Sequence, residues 1–249
     1  MKKVFIVVLF IITSYFILSI AFHQTQENPI TTYRFDFDDI DREFWLVGGW
    51  ESLERDYDLV SLNGGILTLS ADTSGINPYL LSKPLEIKDG DVITMKRRVR
   101  IQHGPGTFSG GTALYQTDDM DLIPSPTDGR WTGGFGDGIL LVEYSYDLIY
   151  QQDRPGRDVF RFLAADWDYN DNYQLITPVY DTWVEETIIF DTRSSQMTYI
   201  LGDKSYVLSS YNLDRSALRF WMHAYGTGTG NKIDIDYIEI TIENKKYRR

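Results

Sequence analysis

The stretch RFWMHAYGTGTGNKIDIDYIEITIEN, residues 219–244, decides the fold. It holds two alternating runs joined by glycine at every second position. In the first run Leu218, Phe220, Met222 and Ala224 share one face. Arg219, Trp221, His223 and Tyr225 share the other, and a period of two is the signature of a strand. Gly226, Gly228 and Gly230 follow that strand as a phosphate loop would. A phosphate cradle needs a helix N-terminus or a nest of amides, and the P-loop form carries Gly-Lys-Ser/Thr. The residues after the glycines alternate as a strand and lack that motif, so the glycines read as a strand-to-strand loop. Over Lys232–Ile242 the apolar parity changes: Ile233 and Ile235 have one, Ile238, Ile240 and Ile242 the other. A regular strand cannot bury both sets on one face. A bulge, or passage between two environments, is expected between Ile235 and Ile238, with Asp236 at the change.

The same texture extends outward from Tyr33. Strands are predicted over Tyr33–Asp38, Ile66–Ser70, Tyr79–Lys83, Val92–Gln102, Thr112–Thr117, Gly138–Tyr146, Asp158–Ala164, Val184–Asp191, Gln196–Leu201, Leu218–Tyr225 and Lys232–Ile242. Turn signals such as Asn63-Gly64-Gly65, Lys88-Asp89-Gly90 and Gly202-Asp203 separate them. No stretch has helical amphipathicity. Many short strands with regular turns predict an all-β, two-sheet antiparallel sandwich or jelly roll. One domain is expected over residues 33–243, with the long last strand near the first. Residues 23–32 read as a polar linker, and 244–249 as a basic tail.

The chain has 249 residues, no cysteine and a net charge of −12. Absent cysteine removes disulfides, thiolate metal sites and cysteine nucleophiles. The acidic balance argues against nucleic acid or an anionic membrane as partner. Lys2 and Lys3 precede an uncharged run from Val4 to Phe22. This predicts either a signal peptide, cleaved after Ser19-Ile20-Ala21, or an uncleaved membrane anchor. Both place the domain outside the cytoplasm, secreted or held at a bacterial cell membrane.

Several segments resemble a known group in their order. Arg34-Phe35-Asp36-Phe37-Asp38-Asp39 leads to Phe44-Trp45, then Gly64-Gly65-Ile66-Leu67-Thr68-Leu69 and Leu81-Ser82-Lys83-Pro84-Leu85. Trp183-Val184-Glu185-Glu186-Thr187-Ile188-Ile189-Phe190-Asp191 follows, and Ile235-Asp236-Tyr237-Ile238-Glu239-Ile240 closes the series. This order resembles the concanavalin A-like lectin/glucanase superfamily of jelly-roll sandwiches. Its laminarinase-like enzymes carry a Glu-x-Asp-x-x-Glu strand. The nearest acidic strand here, Glu143-Tyr144-Ser145-Tyr146-Asp147, lacks that pattern.

The resemblance implies a structural Ca²⁺ at a C-terminal Asp-Tyr strand. Asp236 is the expected ligand, with Asp36 or Asp38 supplying further oxygens. Asp166-Trp167-Asp168-Tyr169-Asn170-Asp171-Asn172 partly matches a Ca²⁺ loop, but without glycine at position 6 or glutamate at position 12. In such folds sugars bind the outer face of one sheet. The Arg219, Trp221, His223 and Tyr225 face is the expected groove, an indole stacking on a pyranose. Gln116, Trp131, Glu143 and Arg161 are further candidates. Lys96, Arg98 and Arg100 share a face opposite Met95, Val99 and Ile101. They either meet an anionic sugar or pair with surface carboxylates.

The leading expectation is a non-catalytic carbohydrate-binding or cell-surface protein with a polysaccharide or glycan partner. The second is a polysaccharide lyase or glycoside hydrolase. For a lyase, Arg219, His223, Tyr225 and Gln116 are suitable residue types for carboxylate neutralisation and proton abstraction. The third is an envelope protein-interaction domain.

Overall fold

The computed structural model describes residues 30–49, 52–53, 60–71, 78–104, 108–117, 139–146, 159–165, 173–176, 179–209, 217–226 and 230–244. In chain order the strands are β1 (Ile30–Phe35), β2 (Trp45–Gly49), β3 (Ser52–Leu53), β4 (Val60–Asn63), β5 (Ile66–Ser70), β6 (Tyr79–Ser82), β7 (Leu85–Glu86), β8 (Asp91–Gln102), β9 (Phe108–Thr117), β10 (Ile139–Tyr146), β11 (Val159–Ala165), β12 (Tyr173–Ile176), β13 (Val184–Asp191), β14 (Gln196–Leu201), β15 (Lys204–Ser209), β16 (Ala217–Gly226) and β17 (Lys232–Asn244). No helix occurs among the described residues.

Two antiparallel sheets form the expected sandwich. The eight-stranded sheet runs β15-β14-β13-β8-β17-β5-β4, with β1 also paired to β17. The nine-stranded sheet runs β12-β11-β10-β9-β16-β6-β2-β3, with β7 paired to β16. The core lies between them. Leu67, Leu69, Met95, Val99, Ile188 and Phe190 come from the first sheet, and Leu80, Leu114, Leu218, Phe220 and Met222 from the second. Each aliphatic or aromatic side chain so buried contributes about 1.5–3 kcal/mol.

The parity change in β17 is a bulge. Its register against β8 shifts between Ile235 and Tyr237, leaving Asp236 as the inserted residue. Because of that residue, Ile233, Ile235, Ile238 and Ile240 are all buried in one core. The bulge also lies where the other neighbour of β17 changes. Lys232–Ile235 pairs with β5, whereas Ile238–Glu243 pairs with β1. One strand thus serves two partners in succession on one side and β8 along the whole of the other.

Both aspartates of the segment Ile233–Tyr237 have partners. Asp234 lies on the outer face, yet its side chain is only 3% exposed. It accepts from Thr68 Oγ1 at 2.7 Å, from Arg100 Nε and Nη2 at 2.9 and 2.6 Å, and from Gln102 Nε2. These contacts stitch β5, β17 and β8 together. Asp236, in the bulge, pairs with Arg98 at 2.9 Å. Arg98 and Arg100 also lie over the Trp183 ring, 5.3 and 4.8 Å from its centroid. Of this basic stripe, Arg98 pairs with a surface carboxylate, as one of the two expectations had it, and Arg100 with a buried one.

The β4–β5 hairpin shows how local chemistry sets register. Asn63 pairs with Ile66, so Gly64-Gly65 alone makes the turn. Both have positive φ, 59° and 78°, as a type I′ turn requires. At the N-terminus β1 begins at Ile30, so the last three residues of the predicted linker are strand. They pair with Thr241, Ile242 and Glu243. The short strands β3 and β7, and the strands β2, β4, β12 and β15, were not expected from the sequence.

Candidate functional site

β16 lies inside the nine-stranded sheet, between β9 and β6. Its alternation holds: Leu218, Phe220, Met222 and Ala224 join the core. Directly opposed residues of antiparallel neighbours share a face, so the pairing defines rows across the outer surface. One row runs Gly48, Tyr79, His223, Gly111, Glu143, Arg161. The next runs Leu46, Leu81, Trp221, Ala113, Leu141, Leu163.

The first row brings together three residues from distant parts of the chain. His223 comes from β16, Glu143 from β10 and Arg161 from β11. Gly111 separates His223 from Glu143 and carries no side chain. At the usual strand spacing, His223 to Arg161 spans about 14 Å. The sequence offers Glu143 and Arg161 as groove candidates but does not place them. Their alignment with His223 depends on three strand registers, two for Glu143 and a third for Arg161.

Gln116 falls elsewhere. It is in register with Leu218, the parity opposite to that of Arg219 and Trp221. The expectation that Gln116 joins their face is therefore corrected. Arg219 does share the outer parity, in register with Tyr115. Tyr225 pairs with Ser109 farther along the strand.

Trp221 differs from the expected open platform. It is 5% exposed, and His223 stacks on its indole with ring centroids 4.0 Å apart and planes 11° apart. Arg219, at 3% exposure, is also buried. Tyr79 and Leu81, opposite His223 and Trp221, are buried too. The outer face of β6 and β16 is thus a floor of covered side chains. The imidazole lies on top of the indole and is the half-buried member of the pair.

Burial pushes the His223 imidazole down to about 3, and the Arg97 guanidinium adds to this in the same direction. His223 is therefore neutral at ordinary pH, with one donor and one acceptor nitrogen. Its Nδ1 is buried and makes no hydrogen bond among the described residues.

Gly48 explains the placement of Tyr79. A Cβ at Gly48 would overlap the Tyr79 ring. The ring thus lies across β2 at a point where only glycine leaves room. Gly48→Ala is expected to displace the ring and destabilise the domain by about 1–3 kcal/mol, the usual cost of overpacking. Denaturant unfolding of the two proteins measures this directly.

The charged groups behind the sheet were not anticipated. Arg97 occupies an inward position on β8, sharing the parity of Met95, Val99 and Ile101. Its Nε donates to Glu186 Oε2 at 2.7 Å, and both side chains are 1% exposed. Tyr199 Oη donates to Glu186 Oε1 at 2.6 Å. Burial and the adjacent Glu186 carboxylate hold the Tyr199 hydroxyl well above its ordinary range. Arg97 Nη1 donates to Thr112 Oγ1 in the opposite sheet. A signal was present: Arg97 and Glu186 each interrupt an apolar alternation at an inward position.

Of the three expected calcium ligands, Asp236, Asp36 and Asp38, the first two hold arginines. Asp236 pairs with Arg98, and Asp36 pairs with Arg34 at 2.7 Å. Arg34 also reaches Glu239 at 3.4 Å and lies over the Tyr237 ring. Among the described residues, no three His, Asp or Glu side chains gather as a metal site. Ca²⁺ takes six to eight oxygens, and as they stand these residues do not fit it. Residues 166–172, Trp131 and the N-terminal run 1–22 lie outside the described residues. Among the described residues, no helix is long and apolar enough to cross a membrane.

No protein-family model matches the sequence, and no curated protein matches it. Solved structures do match the fold. Peanut lectin aligns with a TM-score of 0.61 at 12% identity, covering 88% of this chain and 100% of the lectin. The winged bean acidic lectin, solved with methyl-α-D-galactose, aligns at 0.60 and 11% identity, covering 88% and 100%. The endo-1,3-β-glucanase of Streptomyces sioyaensis aligns at 0.60 and 10% identity, covering 87% and 97%.

Proposed function

With the concanavalin A-like jelly roll of these lectins and glucanases as its fold, we propose that the protein binds a neutral glycan, without catalysis, outside the cytoplasm. The carrying observation is the row in which His223, Gly111, Glu143 and Arg161 align across the nine-stranded sheet. Sugar hydroxyls are recognised by paired donors and acceptors beside an aromatic surface. A neutral, half-buried imidazole stacked on an indole offers them a polar, flat ring. Glu143 and Arg161 are cross-strand neighbours of opposite charge, which favours an uncharged ligand over a uronate. Glycoside hydrolysis uses two carboxylates about 5–10 Å apart. This row contributes one, Glu143, and that supports the binding reading over the hydrolase.

The test is affinity electrophoresis of the full chain in non-ionic detergent, through gels holding neutral and uronic polysaccharides. A neutral glycan is expected to retard the wild type. His223→Ala is expected to weaken that retardation by about tenfold, or 1.4 kcal/mol. Retention by uronic glycans alone, or by none, sinks the proposal. A rise in reducing ends or in absorbance from unsaturated products removes its non-catalytic part.

A further inference from the structure

We propose that Arg97 is a positioning residue for the His223 row, tethering β9 from behind through Thr112. Arg97 stands on the inner face of β8. Glu186 on β13 fixes its guanidinium at 2.7 Å, and Tyr199 on β14 fixes that carboxylate at 2.6 Å. So anchored, the guanidinium crosses the sandwich and donates to Thr112 Oγ1 on β9. Thr112 is fully buried and in register with Met222. Its neighbours Gly111 and Ala113 are in register with His223 and Trp221, the stacked pair. The cross-sheet bond therefore reaches the backbone immediately behind the stack.

The chemistry explains why a charge sits there. A buried ion pair generally stabilises a fold no better than apolar residues of similar volume. Apolar packing fills space but has no direction. A charge-assisted hydrogen bond has a preferred length and angle, so it fixes the height of one strand over the facing sheet. Here it fixes Gly111 beside the imidazole. The geometry of the outer row is then set partly by a sheet that makes no part of that row.

Two substitutions at Thr112 test this in the full chain labelled on histidine. Thr112→Val keeps the shape and removes the acceptor oxygen. Thr112→Ser keeps the oxygen. The readout is the NMR shift of the His223 ring protons, which the stacked indole displaces; His223→Gln identifies them among three histidines. Thr112→Val is expected to move these resonances toward free-histidine values, and Thr112→Ser to restore them. Wild-type resonances in a folded but less stable Thr112→Val protein make the bond a strut only and overturn the proposal. Should Thr112→Val not fold, Arg97→Lys decides. It keeps the charge beside Glu186 and loses the fork that spans to Thr112. Shifted resonances support the tether, and unchanged ones overturn it. Only the functional meaning of the row rests on the glycan reading. A shifted His223 in a protein that no glycan retards upholds the tether and sinks that reading.

Discussion

Glu186→Ala is expected to lower the unfolding free energy by about 3–5 kcal/mol, the largest loss from any single side chain considered. The substitution leaves the Arg97 guanidinium in the core without its carboxylate partner at 2.7 Å. It also removes the acceptor of the Tyr199 hydroxyl. At roughly 2–4 °C per kcal/mol for a domain of this size, the midpoint falls by about 10 °C. Arg97→Met combined with Glu186→Leu is expected to recover most of the loss, because no buried charge then lacks a partner. The difference is the diagnostic. If the double variant is as unstable as Glu186→Ala, the damage comes from the lost hydrogen bonds of Tyr199 and Thr112 and not from an unmatched charge. A thermal scan of wild type, single variant and double variant gives the answer.

The second large effect is on pH dependence. Unfolded histidine takes its proton near pH 6.5, whereas His223 in the folded protein takes it near 3. Between these values the unfolded chain binds more protons, so stability is full above pH 6.5 and declines as pH falls toward 3. From pH 7 to pH 4 this contributes a loss on the order of 2–3 kcal/mol, allowing for the partial exposure of the ring. His223→Gln is expected to flatten that part of the profile. Asp191, held below its usual range by Arg193, contributes its own decline on acidification and does so in both proteins. Urea unfolding at half-unit pH steps separates the two. Parallel curves for wild type and variant would show that the imidazole is not held neutral.

Much of the fold was legible because strand parity is a local property. Phe220 and Met222 inward, Ile235 and Ile238 both inward, and hence a bulge at Asp236, all follow from a period of two. Strands as short as Leu85–Glu86, or as polar as Lys204–Ser209, carry too little pattern to be read. The candidate site was legible only in part. His223 could be placed on the outer face, but not on top of Trp221, since the stack depends on side-chain packing. The row containing Glu143 and Arg161 depends on how four strands, β16, β9, β10 and β11, slide past one another, and no local spacing encodes that. Gln116 shows the converse: its composition suited a groove, yet its register pairs it with Leu218. Arg97 was the readable omission, a charge among Met95, Val99 and Ile101.

β16 and β17, the strands of the quoted stretch, each occupy an interior position, one in either sheet. Until residues 217–244 have left the ribosome, β9 has no β6-side neighbour and β8 has none toward β5. The strand Ile30–Phe35 waits for Ile238–Glu243, some two hundred residues later. Neither sheet can close before these two strands are made, so the earlier strands wait through a long interval with open edges. Loop closure over such distances is slow. The nascent chain must be kept from pairing those edges with other chains until the last two strands wedge in together, much as a keystone completes an arch.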